Sequence, residues 1–456
     1  MGKKLKAVTT MVLTSAMIIV SFAAAGQSKA AAAAATDTAI ATTTAIAITT
    51  ITAKATVKAT VTEYITVEEY AKALVEAVGL EPLLGSEGSG NVAVLIANGI
   101  IKEGDFTSYT KDLTRGDALI LLNRAEEYLN KDTIDAALVQ TVIDKRISDI
   151  SKVTEAKRKD VAEAYLKGFI KGYSNGEYCT DRKLKLTSKI TKTGALESIR
   201  MLTNKKLRAK ISPDGQLIRT TKLPKYAKYY PYILASFPNE YYDWKFFYEG
   251  VVCTRNGKVV EEYNLIDYTA PVDVNIIMEN GDFTTNRKER EEKWLSDAKL
   301  YFTNLLNVDY RTIDETWINS MIDNNDAYKF NESMIRTALE RYLTKMKKNK
   351  TIVECKSIDM DASSIYYYDY AYFLRVHVNY RIVSSVASLN EDIDSLLKSQ
   401  SHNSILFCTT MVNIRKRTLG KWQDGYYEIQ LCSYEGGISG STILINDASY
   451  RAKKVE

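Results

Sequence analysis

Two hydrophobic rhythms divide this chain. Between residues 63 and 210, apolar positions recur every three or four residues; beyond about residue 370 they alternate. Val67, Tyr70, Ala71, Leu74, Val75 and Val78 fall on one face of a helix. Further helices are predicted over 118–128 and over 157–167, where Val161, Ala162, Tyr165 and Leu166 form the apolar face. Val92, Leu95 and Ile96 mark a short helix that stops at Gly99. Later, Trp294, Ala298, Tyr301, Phe302, Leu305 and Leu306 fit one amphipathic helix, and Ile335, Leu339, Tyr342 and Met346 fit another. Then Leu374, Val376, Val378, Tyr380 and Ile382 alternate with Arg375, His377, Asn379 and Arg381, which predicts a strand with one polar face. Residues 405–415 and 426–434 read as two more strands, and the glycine-rich run Gly436 to Ser441 as a loop.

Helices first and long strands afterwards predict an α+β protein: a mainly α-helical module, then a C-terminal α+β domain with an antiparallel sheet. The order within that last domain is similar to cystatin-like or nuclear-transport-factor-like cone folds. Residues 211–285 separate the two. They hold Pro213, Pro224, Pro231, Pro238 and Pro271, five of the six prolines, which excludes long helices there. They are also rich in tyrosine (Tyr229-Tyr230-Pro231-Tyr232, Tyr241-Tyr242), and Asn256-Gly257 predicts a hairpin turn. This transition region is expected to pack on the helices or bridge to the last domain.

The helix starts share a grammar. Thr66 and Glu69 are spaced as a capping box, Thr114 and Asp117 resemble one, and Thr191 is a third N-cap. Gly99, Gly168 and Gly172 suit helix exits, and Asn175-Gly176 a turn. Three threonine-capped helices, two of them preceded by a G-[IF]-I exit, form a degenerate internal repeat over 63–210.

These segments resemble S-layer homology repeats, whose loop runs roughly GIIxGYxDGTF and whose helix opens with ITRAE. Gly168 to Tyr178 (GFIKGYSNGEY) matches the loop, and Leu113 to Asp117 (LTRGD) the helix start. The resemblance covers about a third of the chain. It implies non-covalent attachment to a secondary cell-wall polysaccharide carrying ketal-linked pyruvate. Arg115 and Lys192 would hold the carboxylate or nearby hydroxyls, and Gly99, Gly168 and Gly172 would let backbone approach the sugar. Val67 stands where the first repeat would have arginine, and lysine rather than arginine stands at 192. The physical reason for a cation there is general: a helix N-terminus offers unpaired N–H groups, and an arginine fork suits a carboxylate.

Charge sharpens this picture. Residues 63–143 carry 6 Lys/Arg against 14 Asp/Glu, and residues 144–210 carry 18 against 8. The two segments should attract each other, or the basic one should face an anionic polymer. Net charge over all 456 residues is only +5, which does not point to nucleic acid.

At the start, Met1-Gly2-Lys3-Lys4-Leu5-Lys6 precedes an apolar stretch and Ala23-Ala24-Ala25, the pattern of a secretory signal peptide over 1–30. Residues 31–62, almost all Ala, Thr, Ile and Val, read as a linker. With 286–456 as the last domain, the expected protein is exported to the cell wall or surface of a Gram-positive-type bacterium, with self-association through the repeats a further expectation.

Catalytic signatures are sparse. There are two histidines, His377 and His402, and no His–His or His–Glu metal spacing, nucleophile elbow or P-loop. Five cysteines without a C-x-x-C leave at most one bridge expected, among Cys355, Cys408 and Cys432. No catalytic residue, metal or cofactor is expected. Two alternatives stay open for the C-terminal region: a wall-associated hydrolase using converging carboxylates or Cys with His377 or His402, and a ligand-binding or assembly domain.

Overall fold

Three threonines bring the first half together. The computed structural model describes residues 62–83, 90–131, 133–243, 252–255, 258–262, 287–325, 329, 332–368, 371–386, 419–431 and 438–444. The expected signal peptide, nearly all of the linker, the Asn256-Gly257 turn, His402, Cys408, Cys432 and the strand over 405–415 lie outside them.

Helix α1 (Val67–Val78) opens with the predicted box: Glu69 N–H donates to Thr66 Oγ1 at 3.2 Å, and Thr66 N–H to Glu69 Oε2 at 2.9 Å. It buries all six residues of its predicted stripe and stops at Gly79. Helix α2 (Asn91–Ala97) follows, then α3 (Arg115–Asn130), whose cap Thr114 accepts from Asp117 N–H at 3.1 Å. Helix α3 buries Leu119 to Glu126 without a break, because neighbours surround it. Helices α4 (Ala136–Lys145) and α5 (Glu155–Leu166) pack beside one another. A small ladder of β1 (Tyr173–Ser174) and β2 (Arg182–Lys183) leads to α6 (Lys192–Thr203), capped by Thr191.

Just before the three caps, the chain closes a ring of backbone hydrogen bonds. Leu113 N–H donates to Ile65 C=O (2.8 Å), Ile190 N–H to Leu113 C=O (3.0 Å) and Ile65 N–H to Ile190 C=O (3.3 Å). Each repeat thus meets the other two in the same way, and Ile65, Leu113 and Ile190 are all buried at this hub.

The opposite charges of the two segments also meet. Lys157 reaches Asp105 at 3.4 Å, Lys167 and Arg208 reach Glu126 at 3.4 and 3.0 Å, and Lys189 reaches Asp112 at 2.6 Å.

Residues 211–243 do not form a free linker. They run back over the second half, ending in α7 (Asn239–Asp243). Strands β3 (Val252–Arg255) and β4 (Lys258–Glu262) pair antiparallel, the flanks of the predicted hairpin. Helices α8 (Arg287–Leu306), α9 (Glu315–Asp323) and α10 (Glu332–Lys348) then precede the main sheet. Its strands are β5 (Val308–Asp309), β6 (Ile352–Met360), β7 (Tyr366–Tyr368), β8 (Ala371–Ser384), β9 (Gln423–Leu431) and β10 (Ile438–Leu444). They lie antiparallel in the order β10-β9-β8-β6-β5, with β7 also on β8, in a curled half-barrel.

The alternation of β8 works as predicted on one side. Leu374, Val376, Val378, Tyr380 and Ile382 join Trp294, Phe302, Met321 and Leu339 in one apolar core. Gly436 to Ser441, expected to be a loop, instead contributes to β10 from Ile438 onward. The register with β9 shifts between Ile438 and Thr442, so Gly440 sits where a bulge interrupts the ladder.

The polar side of β8 is covered too. Tyr230, Ile233, Leu234, Phe237, Tyr241 and Tyr242 from the proline-rich segment pack with Phe373 and Tyr426 of the sheet. Below them, Asp361 is fully buried and accepts from Ser363 N–H (2.8 Å), Ser363 Oγ (2.5 Å) and Tyr242 Oη (2.5 Å). Burial nevertheless pushes its carboxyl up to about 6 from an ordinary 3.8. The folded state therefore binds this proton more tightly than the unfolded state. The resulting stabilisation is complete below about pH 4 and is lost as pH rises through about 6. Relative to Asp361→Asn, the native protein should gain roughly 2 kcal/mol between about pH 7 and pH 4. Urea unfolding of both proteins across that range measures it; a pH-independent difference would contradict the burial of Asp361.

Candidate functional site

Among the described residues, a half-open cavity of about 480 Å³ lies where the start of α3 meets the loop before α6. Leu119, Leu122, Phe169 and Met201 make its apolar floor. Tyr64 and Tyr173 stand at its walls, half exposed, and Arg115, Lys185 and Lys189 carry positive charge to it.

Arg115 is placed by its cap and by the loop it faces. Its Nε donates to Leu184 C=O at 3.0 Å, and its guanidinium carbon is 5.7 Å from the Tyr173 ring centroid. Lys185 Nζ sits 4.0 Å over the same ring. Among the described residues, neither cation has a carboxylate within 4 Å. Lys189 differs: its ammonium pairs with Asp112 at 2.6 Å and lies 5.5 Å from the Tyr64 ring. Glu197 also lines the cavity, so its wall is not uniformly cationic.

The backbone half of the expected anion site is absent. Arg115 N–H donates to Ser188 C=O (2.8 Å), Gly116 N–H to Leu186 C=O (2.9 Å) and Asp117 N–H to its cap. The first turn of α3 therefore has its N–H groups satisfied by protein, and recognition falls to side chains. At α1 the same substitution occurs, with Val67 and Glu68 N–H bonded to Lys111 and Tyr109 C=O.

The other predicted residues are placed elsewhere. Lys192 does not line the cavity; it is bound to Glu69 at 3.1 Å, across the junction of α6 with α1. Glu69's carboxyl is held below the usual carboxylate range by the Thr66 amide and by Lys192. The three glycines also lie off the cavity lining. Gly99 is in the left-handed region (φ 72°) with open space around it, a helix stop. Gly168 (φ 80°) admits the backbone of Ala209, and Gly172 (φ 63°) admits the Leu184 side chain. At Gly168 and Gly172 the room is thus filled by protein.

Tyr64, Tyr173, Lys185 and Lys189 were not singled out by sequence reasoning. Tyr173 stands at the tyrosine of the quoted GFIKGYSNGEY loop, and the two lysines fall in the lysine-dense stretch 183–192, which by itself reads as a solvated surface.

His377, expected on a solvent-facing strand face, is 2% exposed. Its ring stacks on Tyr178 at 3.8 Å between centroids, with Asp359 3.0 Å from Nδ1 and Asp424 2.9 Å from Nε2. Tyr178 comes from the loop after β1; its hydroxyl bonds that of Tyr426, and its N–H donates to Ser236 C=O at 2.8 Å. The histidine is thus buried in the joint between the repeats and the sheet. Cys355 has a free thiol, pushed up to about 11 by burial.

Glu127, Asp160 and Glu163 gather within 4.8 Å of one another. Asn123 Nδ2 lies within hydrogen-bond reach of all three, at 3.1, 3.2 and 2.9 Å, and Lys167 donates to Asn123 Oδ1 at 2.7 Å. The Asn123 amide thus bridges the cluster by hydrogen bonds, while Arg124 pairs with Asp160 at 2.9 Å and Lys159 with Glu163 at 3.6 Å. Burial and the neighbouring Glu163 raise the Glu127 carboxyl above its ordinary value.

No family model, curated protein or solved structure matches this chain.

Proposed function

We propose that this protein is exported and held non-covalently at the cell surface, its repeats acting as an S-layer homology module that binds an anionic, pyruvylated wall polysaccharide. On this reading the C-terminal region, with its helices-then-sheet order, is a cone-like domain carried outward by the anchor. The observation that carries the proposal is the setting of Arg115. Its guanidinium borders an aromatic-walled cavity and has no carboxylate partner among the described residues. A cation left without a counter-ion beside an apolar floor suits an anionic sugar: the carboxylate meets the fork, and the ring face meets tyrosine.

The three pseudo-equivalent positions are not equal. Val67 carries no charge, and Lys192 is engaged by Glu69. The module should therefore bind one glycan segment per chain.

Co-sedimentation of the full chain with purified walls tests this. Arg115→Ala should weaken binding by about 2 kcal/mol, roughly 30-fold, the size of one charge-assisted hydrogen-bonded contact. Lys192→Ala should change it less than about twofold. Equal retention by walls from which pyruvate has been stripped by mild acid would refute the recognition proposed.

A further inference from the structure

Resting on that wall-binding reading, we propose that Lys185 is the second half of a two-cation clamp. Arg115 and Lys185 together hold one anionic group, a carboxylate or a phosphate, whose sugar packs against Tyr173. Three observations carry this. The two cations lie within 6 Å of the same ring centroid, at 5.7 and 4.0 Å, and no described carboxylate neutralises either. Like charges brought together without a counter-ion repel each other, and an anion placed between them relieves that repulsion.

The second observation is the backbone of Lys185. Its φ of 58° is in the left-handed region, which a side chain with a Cβ disfavours. Asp149 holds it there: its nearly buried carboxylate accepts from Leu184 N–H at 2.8 Å and from Leu186 N–H at 2.9 Å. Leu184 and Leu186 are buried, so the staple fixes both flanks and leaves Lys185 projecting between them. Local strain maintained by a dedicated buried group is a feature of preorganised sites.

The third observation is that the two cations are tied to one loop. Arg115 Nε donates to the carbonyl of Leu184, the residue before Lys185, and Gly116 N–H to that of Leu186, the residue after it. Gly116 makes this approach possible, because a Cβ there would lie 3.0 Å from the Leu186 carbonyl oxygen. The backbone that carries Lys185 is therefore tied directly to the start of α3, which carries Arg115.

Titration calorimetry of the full chain tests the clamp with three probes: a methyl hexopyranoside bearing a carboxylate ketal, a hexopyranoside monophosphate, and the uncharged methyl hexopyranoside. The native protein should prefer one anionic probe to the uncharged one by tenfold or more. Which one it prefers identifies the anion, and either sustains the clamp. Lys185→Asn should weaken that binding about tenfold while leaving the melting temperature unchanged or raised, since asparagine tolerates the left-handed region. Lys185→Arg should retain most of it. A merely structural role for Lys185 would move stability and not affinity.

No preference for either anionic probe overturns the clamp. So does Lys185→Asn binding like the native protein when Arg115→Ala does not; wall anchoring through Arg115 then still stands. Failure of the native chain to sediment with walls, with its preference for an anionic probe intact, overturns the anchoring reading alone.

Discussion

Replacing Arg375 with alanine should destabilise the fold by about 3–5 kcal/mol, the cost typical of removing one partner from a buried ion pair. Arg375 is 1% exposed and its partner Glu428 is fully buried; they meet at 2.5 Å. The guanidinium also donates to Tyr230 Oη at 2.8 Å and to the Tyr241 carbonyl at 3.0 Å. Alanine would remove the guanidinium that the fully buried Glu428 carboxylate faces beneath the tyrosine layer. The pair itself need not be strongly stabilising, because desolvation offsets most of its attraction. Arg375→Met combined with Glu428→Leu should accordingly lose far less than Arg375→Ala alone. Urea unfolding of the three proteins measures both quantities. A loss below about 1 kcal/mol for Arg375→Ala would mean that water reaches Glu428.

That pair also marks where sequence reasoning stopped. Alternation along β8 identified which residues face the apolar core, because one side of the strand is wholly hydrophobic. It could not tell whether the other side meets solvent or a second layer. Arg375 and His377 look the same on paper in either case. The layer that covers them comes from residues more than 130 positions away, such as Tyr230 and Tyr241, and from Tyr178 in the repeats. Tyrosine enrichment near 230–242 signalled burial with polar tips, but not against which face. Helix starts were legible because capping is local: Thr66, Thr114 and Thr191 each bond an amide three residues on.

The candidate site was legible only in part, for the same reason. Arg115 could be found because it sits at a fixed offset from its cap. The pairing with Tyr173 and Lys185 could not, since they lie 58 and 70 residues further along the chain and meet over the Tyr173 ring only in the fold. Lys192 occupies the equivalent offset in the last repeat, yet its partner Glu69 belongs to the first repeat, and only the closed ring of three brings them together. The glycines misled in the opposite direction. A positive φ is readable from the residue type, but what fills the space beside it is not.

Alanine at Gly168 and at Gly99 should separate these two kinds of glycine. Both have positive φ, 80° and 72°, so each substitution carries the left-handed penalty of about 1 kcal/mol. Around Gly99 nothing lies within 4 Å of the added methyl, and the penalty should end there. At Gly168 the methyl would sit 2.2 Å from the Ala209 carbonyl oxygen and 2.9 Å from its nitrogen. That backbone is itself tied down, since Ala209 N–H donates to the Gly168 carbonyl at 2.8 Å. Relieving the overlap requires the segment after α6 to move, which would carry Arg208 away from Glu126 and from the Phe169 ring it covers at 4.5 Å. Glu126 is 1% exposed and would lose its closest cation, so the total should reach about 3–4 kcal/mol. Phe169 also lines the candidate cavity, so under the proposed anchoring Gly168→Ala should weaken wall binding as well as stability, whereas Gly99→Ala should leave binding unchanged. Thermal unfolding and wall co-sedimentation of the two variants test the contrast. Equal losses at the two glycines would show that Ala209 yields easily, and that Gly168 is present for its backbone angle alone.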